Sequence, residues 1–329
     1  MKKHLALALG LLLIGAALAG CGKSTKPSSS LDGSNVGSIS GGSSVDAAQV
    51  TDTLSQHPEL VEETLYEDPT PILYADAPVS SALAAIQPFR WWRTITSDTR
   101  TVDITFSNPD SSGQPTAALV TIHRHLLGTF NVIAGDTAAT DSVPRDSMRA
   151  DTTRRLIRKP LDDSWVRELT FERIVDPDSA SDGRHHQRHW RILGTSGVVV
   201  TSLNATTAIN SLRIQAGAID TTITDPLALR FRPRLMLLPA LAMIKVTVTT
   251  GRNNDVVVLY RDFMRRRFVN NGDDTYTVTF PSWDFWGMRH FGVNALSHGT
   301  LFDDTAPYDS KAWILPFASR VAYCDVGRD

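Results

Sequence analysis

From Phe89 onward, apolar and polar residues alternate in short runs rich in β-branched and aromatic side chains. That period of two predicts strands over Trp91–Thr96, Thr101–Phe106, Ala117–Leu126 and Thr129–Ile133. Polar turns such as Asn108-Pro109-Asp110 and Ser111-Ser112-Gly113 separate them. Residues 135–161, rich in Asp, Thr and Arg, read as a long loop or a polar helix. Trp165–Val175 and Gln187–Leu193 read as two more strands joined by the polar loop 176–186. Val198–Ser202 and Ser211–Gln215 also look like strands, before Pro226, Pro233 and Pro239 punctuate the chain.

Upstream of this β-rich stretch the spacing is helical. Ser55, Pro58 and Glu59 precede an apolar face of Leu60, Val61, Thr64 and Leu65, which predicts a capped helix stopped by Pro69 and Pro71. A second short helix is expected over 79–86, ending at Pro88. Toward the C-terminus the alternation is clearest. Lys245-Val246-Thr247-Val248-Thr249 turns through Gly251–Asp255 into Val256–Tyr260, and Phe263–Val269 follows. The turn Asn270-Asn271-Gly272-Asp273-Asp274 then leads into Thr275–Phe280, with Tyr276, Val278 and Phe280 on one face. His290–Leu296 and Ala312–Phe317 complete six short strands. The expected fold class is therefore mainly β, with a small α+β N-terminal portion and a C-terminal antiparallel β-sandwich.

The first residues carry a different signal. Lys2 and Lys3 precede an apolar run from Leu5 to Leu18, which closes in Leu18-Ala19-Gly20-Cys21. A charged start, a short apolar core and small residues at the end describe an export signal, too short to span a bilayer about 30 Å thick comfortably. Leu-Ala-Gly-Cys resembles the lipobox of bacterial lipoproteins. The resemblance implies cleavage after residue 20, acylation of Cys21 and a membrane-anchored mature chain. In that family Gly22, rather than aspartate, favours the outer membrane, facing periplasm or exterior. Several acyl chains hold a protein firmly where one holds it weakly. Residues 22–47, dominated by Ser and Gly, read as a flexible tether.

The remaining length exceeds one usual domain, so two are expected: 48–241, α+β or β-rich, and 242–329, the sandwich, with the boundary left open between 194 and 241. The order of helices and then long strands in the first resembles the cone of NTF2-like domains. The second is similar to immunoglobulin-like domains in architecture alone, since their Cys-Trp-Cys spacing is absent. A formal net charge of -2 gives no reason to expect nucleic acid. Beyond Cys21 the only cysteine is Cys324, which cannot form a disulfide within the chain. The apolar run Arg234–Ile244, interrupted by Pro239, reads as core.

Candidate chemistry is sparse. His185, His186 and His189 form the densest imidazole cluster and offer a transition-metal site, but Arg184, Arg188 and Arg191 crowd it and a solvated loop is the plainer reading. His123 and His125 share one face of a strand. Arg265 and Arg267 face one way in a hairpin strand and could meet an anion; a charged edge is the plainer reading. Trp283, Phe285, Trp286 and Phe291 suit either a core or a carbohydrate platform, with Trp283 and Trp286 the candidate contacts. Asp303, Asp304 and Asp309 offer oxygen ligands for calcium without the spacing of an EF-hand. No nucleophile elbow, phosphate loop, dinucleotide fingerprint or zinc-protease motif occurs. The sequence thus favours an anchored, non-catalytic binding or structural protein of the cell envelope, with no cofactor expected and an envelope protein or glycan as partner. An exported hydrolase acting on glycan, peptide or lipid is the alternative.

Overall fold

The computed structural model describes residues 35–61, 64–73, 86–136, 154–175, 188–231, 235–262, 264–283 and 287–320. Every described residue belongs to one compact unit.

In chain order the elements begin with β1 (Val36–Ser40), α1 (Ser44–Ser55), α2 (Pro58–Val61), α3 (Thr64–Glu67) and β2 (Ile72–Leu73). Next come the long strands β3 (Ile86–Pro109), β4 (Pro115–Asp136), β5 (Arg155–Val175) and β6 (Arg188–Ser202). β7 (Ile209–Ala216), β8 (Ile219–Ile223), β9 (Arg230–Phe231), β10 (Leu237–Pro239), β11 (Met243–Thr250) and β12 (Val256–Arg261) follow. The chain closes with β13 (Met264–Arg267), β14 (Val269–Asn270), β15 (Thr275–Pro281), β16 (Gly287–Leu296), α4 (His298–Phe302) and β17 (Ser310–Arg320). The result is a small N-terminal α+β region followed by a larger, mainly β region whose strands form two sheets.

The larger sheet runs β1-β3-β4-β5-β6-β17-β16-β12-β13, and the smaller runs β14-β15-β11-β7-β8. Neighbours are antiparallel except β1 on β3 and β10 on β17. Strands on either side of residue 241 share both sheets: β6 pairs with β17, and β7 with β11.

Three apolar clusters explain the layering. The first packs Ala47, Val50 and Leu54 of α1, with Leu60, Val61 and Tyr66, against Trp165, Leu169, Trp190 and Ile314 of the large sheet. The second lies between the sheets, where Ile214, Val246, Val248 and Phe280 of the small sheet meet Phe291, Val293 and Phe317 of the large one. The third gathers Trp91, Phe130, Leu301, Phe302 and Tyr308 under α4. All six residues of β12 are buried, which accounts for the unbroken apolar run Val256-Val257-Val258-Leu259-Tyr260.

The structure corrects several boundaries. Val36, Ile39 and Ser40, expected in the tether, pair with β3. Ser43 and Asp46 then close a reciprocal capping box on α1. The single helix expected from Ser55 is two short ones, Pro58–Val61 and Thr64–Glu67, and a longer helix, Ser44–Ser55, precedes them. The strands expected over 91–96 and 101–106 are one 24-residue strand, kept continuous by irregularities at Pro88/Arg90 and Ile95/Ser97. Gly128 lies against this second irregularity: a Cβ there would come within 2.0 Å of the Thr94 carbonyl oxygen. Residues 155–161, expected in a loop, are the start of β5. The helix expected near 79–86 lies mostly outside the described residues.

Candidate functional site

Alternation in β3 that buries Trp91 also turns Arg93 inward, and the fold answers that charge with hydroxyl groups. Arg93 Nη1 donates to the Tyr260 hydroxyl at 2.7 Å and Nε to that of Tyr308 at 3.2 Å. Its guanidinium lies over the Tyr66 ring, 4.3 Å from the centroid. The hydroxyls of Tyr66 and Tyr308 in turn donate to Asp163 Oδ2 at 2.8 and 3.3 Å. Asp163 is wholly buried, and its Oδ1 has no hydrogen-bond partner among the described residues. Burial therefore pushes its carboxyl up to about 6, against the opposing pull of Arg93 and the two tyrosines. Burial also raises the phenols of Tyr66 and Tyr308.

A second charged cluster ties the helical layer to the sheet. Buried Arg124 of β4 reaches Glu67 of α3 at 2.7 Å and Asp98 of β3 at 2.7 Å, and Arg100 holds the same Asp98. Arg124 and Asp98 each keep the charged form despite burial, Arg124 raised and Asp98 lowered by this pairing. Fully buried Arg167 donates to the carbonyl oxygens of Glu59 and Leu60 at 3.3 and 2.8 Å. Arg124 and Arg167 both stack on Trp165, while Arg173, over Trp190, pairs with Asp46 of α1. These arginines are clamps between layers, so their chemistry is spent inside the fold.

The open concavity lies elsewhere. A cavity of about 430 Å³ sits between the edge of the small sheet and the large sheet. Ile214 and β8 residues Ile219 and Ile223 form one wall, and Phe291, Leu315 and Phe317 form the opposite one. Leu235, Met236 and Leu237 also line it, with Arg230 as the single charged member among the described residues. Among the described residues, the lining contains no carboxylate, imidazole, thiol or amine side chain. Its volume falls in the range of roughly 300–1,000 Å³ typical of small-molecule sites. Gly197 forms part of the floor because a Cβ there would meet the Ile314 carbonyl oxygen at 2.6 Å and that of Pro226 at 2.9 Å. The Gly197 N–H donates to that Pro226 oxygen at 2.8 Å, drawing the covering loop down.

A polar cleft of about 500 Å³ is lined by Thr206, Arg252, Asn254, His298 and Asp309, among others. Asp309 is committed there to the backbone N–H groups of Thr206 and Thr207, each at 3.1 Å. Asp255 is buried, with neither carboxylate oxygen hydrogen-bonded among the described residues, and burial pushes it up to about 6.

The residues singled out from sequence are dispersed. Cys21, His185, His186, Trp286 and Cys324 lie outside the described residues. His189 is exposed on β6, and no group of three or more metal-binding side chains occurs among the described residues. His123 and His125 are exposed and lie 3.5 and 2.8 Å from Asp103 and Asp162. Arg265 is turned inward, onto the Leu65 carbonyl at 3.1 Å and Asp68 at 2.7 Å, and stacks on Tyr260. It serves the end of the helical layer rather than a solvent-facing anion site. Arg267 lies opposite Val258 in the β12–β13 pairing.

Trp283 is buried, its ring 4.5 Å from that of Phe317, and its indole donates to Asp262 at 2.7 Å. Asp303 Oδ1 accepts from the backbone N–H of Thr305 and Ala306, and Asp304 pairs with Arg155. Their oxygens are engaged in local structure. Of the crevice residues, Phe291 belongs to the aromatic cluster read from sequence and Leu235–Leu237 to the run read as core; Arg230 and the β8 residues carry no signal, since they sit in the proline-punctuated stretch and on a short edge strand without distinctive spacing. Compared with protein-family models, with curated proteins and with solved structures, the chain matches none.

Proposed function

We propose that the chain is a membrane-anchored lipoprotein of the cell envelope whose folded part binds an apolar molecule without transforming it. The anchor is Cys21, on the strength of the Leu18-Ala19-Gly20-Cys21 motif. Among the described residues no helix is long and apolar enough to cross a membrane, which is compatible with a lipid anchor. The observation that carries the binding role is the crevice between the sheets: it is open, its described lining is mostly apolar and holds no acid–base side chain, and the strongest charges elsewhere are consumed as clamps.

Two measurements test this reading. Metabolic labelling with an alkyne-bearing palmitate is expected to tag the full chain and to miss Cys21→Ser; equal labelling of both rejects the anchor. Native mass spectrometry of the full chain, released from detergent micelles in the gas phase, is expected to retain one small apolar molecule. A chain that carries none, and takes up none from an added lipid extract, rejects the binding role.

A further inference from the structure

We infer that the crevice takes a single acyl chain ending in a carboxylate, with Arg230 receiving the carboxylate at its mouth. The inference deepens the proposed binding role and rests on it. Three features point to this ligand class. The first is size: a methylene occupies about as much space as a water, whose share of the liquid is ~30 Å³, so a cavity of about 430 Å³ holds on the order of a dozen methylenes. That is one chain, not the two of a diacyl lipid. The second is lining: apolar side chains from both sheets face one another across the cavity, and burying a chain between them gains about 0.8 kcal/mol per methylene.

The third is charge. Among the described residues, Arg230 is the one ionic group in the lining, and it is half-buried. Its one contact among the described residues is Nη1 to the Ala228 carbonyl at 2.9 Å. It differs in this from Arg93, Arg124 and Arg265, each of which meets a phenol or a carboxylate. A guanidinium with its fork left open beside an apolar cavity matches the planar, two-oxygen face of a carboxylate. β9 holds Arg230 in place through the pairing of Thr195 with Arg230 and Gly194 with Phe231. The cation is therefore fixed to the large sheet, opposite the β8 wall.

The test uses membrane vesicles carrying the full chain and a pair of diazirine-tagged probes, a sixteen-carbon fatty acid and the matching fatty alcohol. After irradiation, adducts are mapped by peptide sequencing. The acid is expected to label the peptides holding β8 and Leu235–Leu237, roughly tenfold more efficiently than the alcohol, as one charge-assisted contact implies. Arg230→Gln is expected to erase that preference while leaving alcohol labelling unchanged. Thr222→Trp, an exposed edge position lining the crevice, is expected to reduce both. Crevice labelling by both probes with no preference for the acid overturns the carboxylate assignment but leaves apolar binding standing. A lysophospholipid that displaces the acid probe at lower concentration than free palmitate also overturns it, in favour of a phosphate head. No adduct in the crevice from either probe overturns the inference together with the binding role.

Discussion

The Tyr66 hydroxyl donates to Asp163 Oδ2 across 2.8 Å, joining a short helix to the middle of a 21-residue strand in a place water does not reach. The carboxyl it meets is shared with Tyr308, faces the guanidinium of Arg93 and has Asp162 beside it. Because burial is the largest influence, Asp163 ionises less readily in the fold than in the open chain.

Stability therefore depends on pH through this group. Between about pH 4, where the unfolded carboxyl loses its proton, and about pH 6, where the folded one does, rising pH removes stability on the order of 3 kcal/mol. Below that window the contribution is fully present. Asp255, also pushed up to about 6 by burial, acts in the same direction. Asp163→Asn keeps an acceptor for Tyr66 and cannot ionise. Urea midpoints between pH 4 and 7 are expected to fall less steeply for the variant than for the parent; parallel profiles reject this account.

Arg124→Leu is expected to cost about 3–5 kcal/mol, because Glu67 and Asp98 lose a partner they hold away from water. Urea-induced unfolding followed by tryptophan fluorescence measures it. A loss under 1 kcal/mol means that the two carboxylates find other partners.

Gly197→Ala forces a methyl group to within 2.6 Å of the Ile314 carbonyl oxygen and 3.0 Å of the Leu315 side chain. Overpacking of this kind costs about 1–3 kcal/mol. It also lifts the loop at Pro226, so labelling of the crevice by the fatty-acid probe is expected to fall. Unchanged stability together with unchanged labelling rejects the described floor.

Leu241 holds φ at 58°, a region that costs a side-chain-bearing residue about 1–2 kcal/mol and glycine little. The Leu241 N–H donates to the Trp283 carbonyl at 3.2 Å, and the Ser282 N–H to that of Ala242 at 2.7 Å. Leu241 is also 68% exposed, so its side chain buries little. Leu241→Gly is expected to raise the unfolding free energy by about 1 kcal/mol, checked by urea titration; a fall instead places the side chain in a contact that matters.

The strands that announce themselves in sequence are those with one wet face. In β11 and β15, valine, tyrosine and phenylalanine alternate with threonine, and Val246 pairs with Val278 as the pattern requires. The long strands were harder to read because the fold buries charge. Lys159 sits inward in β5 with Nζ on the Gly299 and Asp303 carbonyls, which makes residues 155–161 look like a polar loop. Ser97 and Asp98 resemble a turn, yet Asp98 is gripped by two arginines within a continuous strand. Arg93 and Asp163 betray themselves only by parity, as charges at positions where Trp91 and Trp165 face inward. The crevice has no such signature: its walls come from strands 214–223, 291 and 315–317, which only the folded chain brings together.

The last strand among the described residues lies in the interior of the larger sheet: β17 is inserted between β6 and β16, so Ala312 pairs with Val200 and with Asn294. Until residues 310–320 arrive, β16 and the Val198–Thr201 edge of β6 lack the strand that joins them, and the first apolar cluster lacks Ile314 while the second lacks Phe317. Pairing across more than a hundred residues is entropically late, so closure of this sheet is a final step that the whole chain must await. A chain emerging N-terminus first presents two open strand edges and an unfinished core for most of its synthesis. A product cut short before Ser310 would keep those edges, which are templates for intermolecular strand pairing. For this molecule, residues 310–320 cover exposed strand edges as much as they complete the sheet.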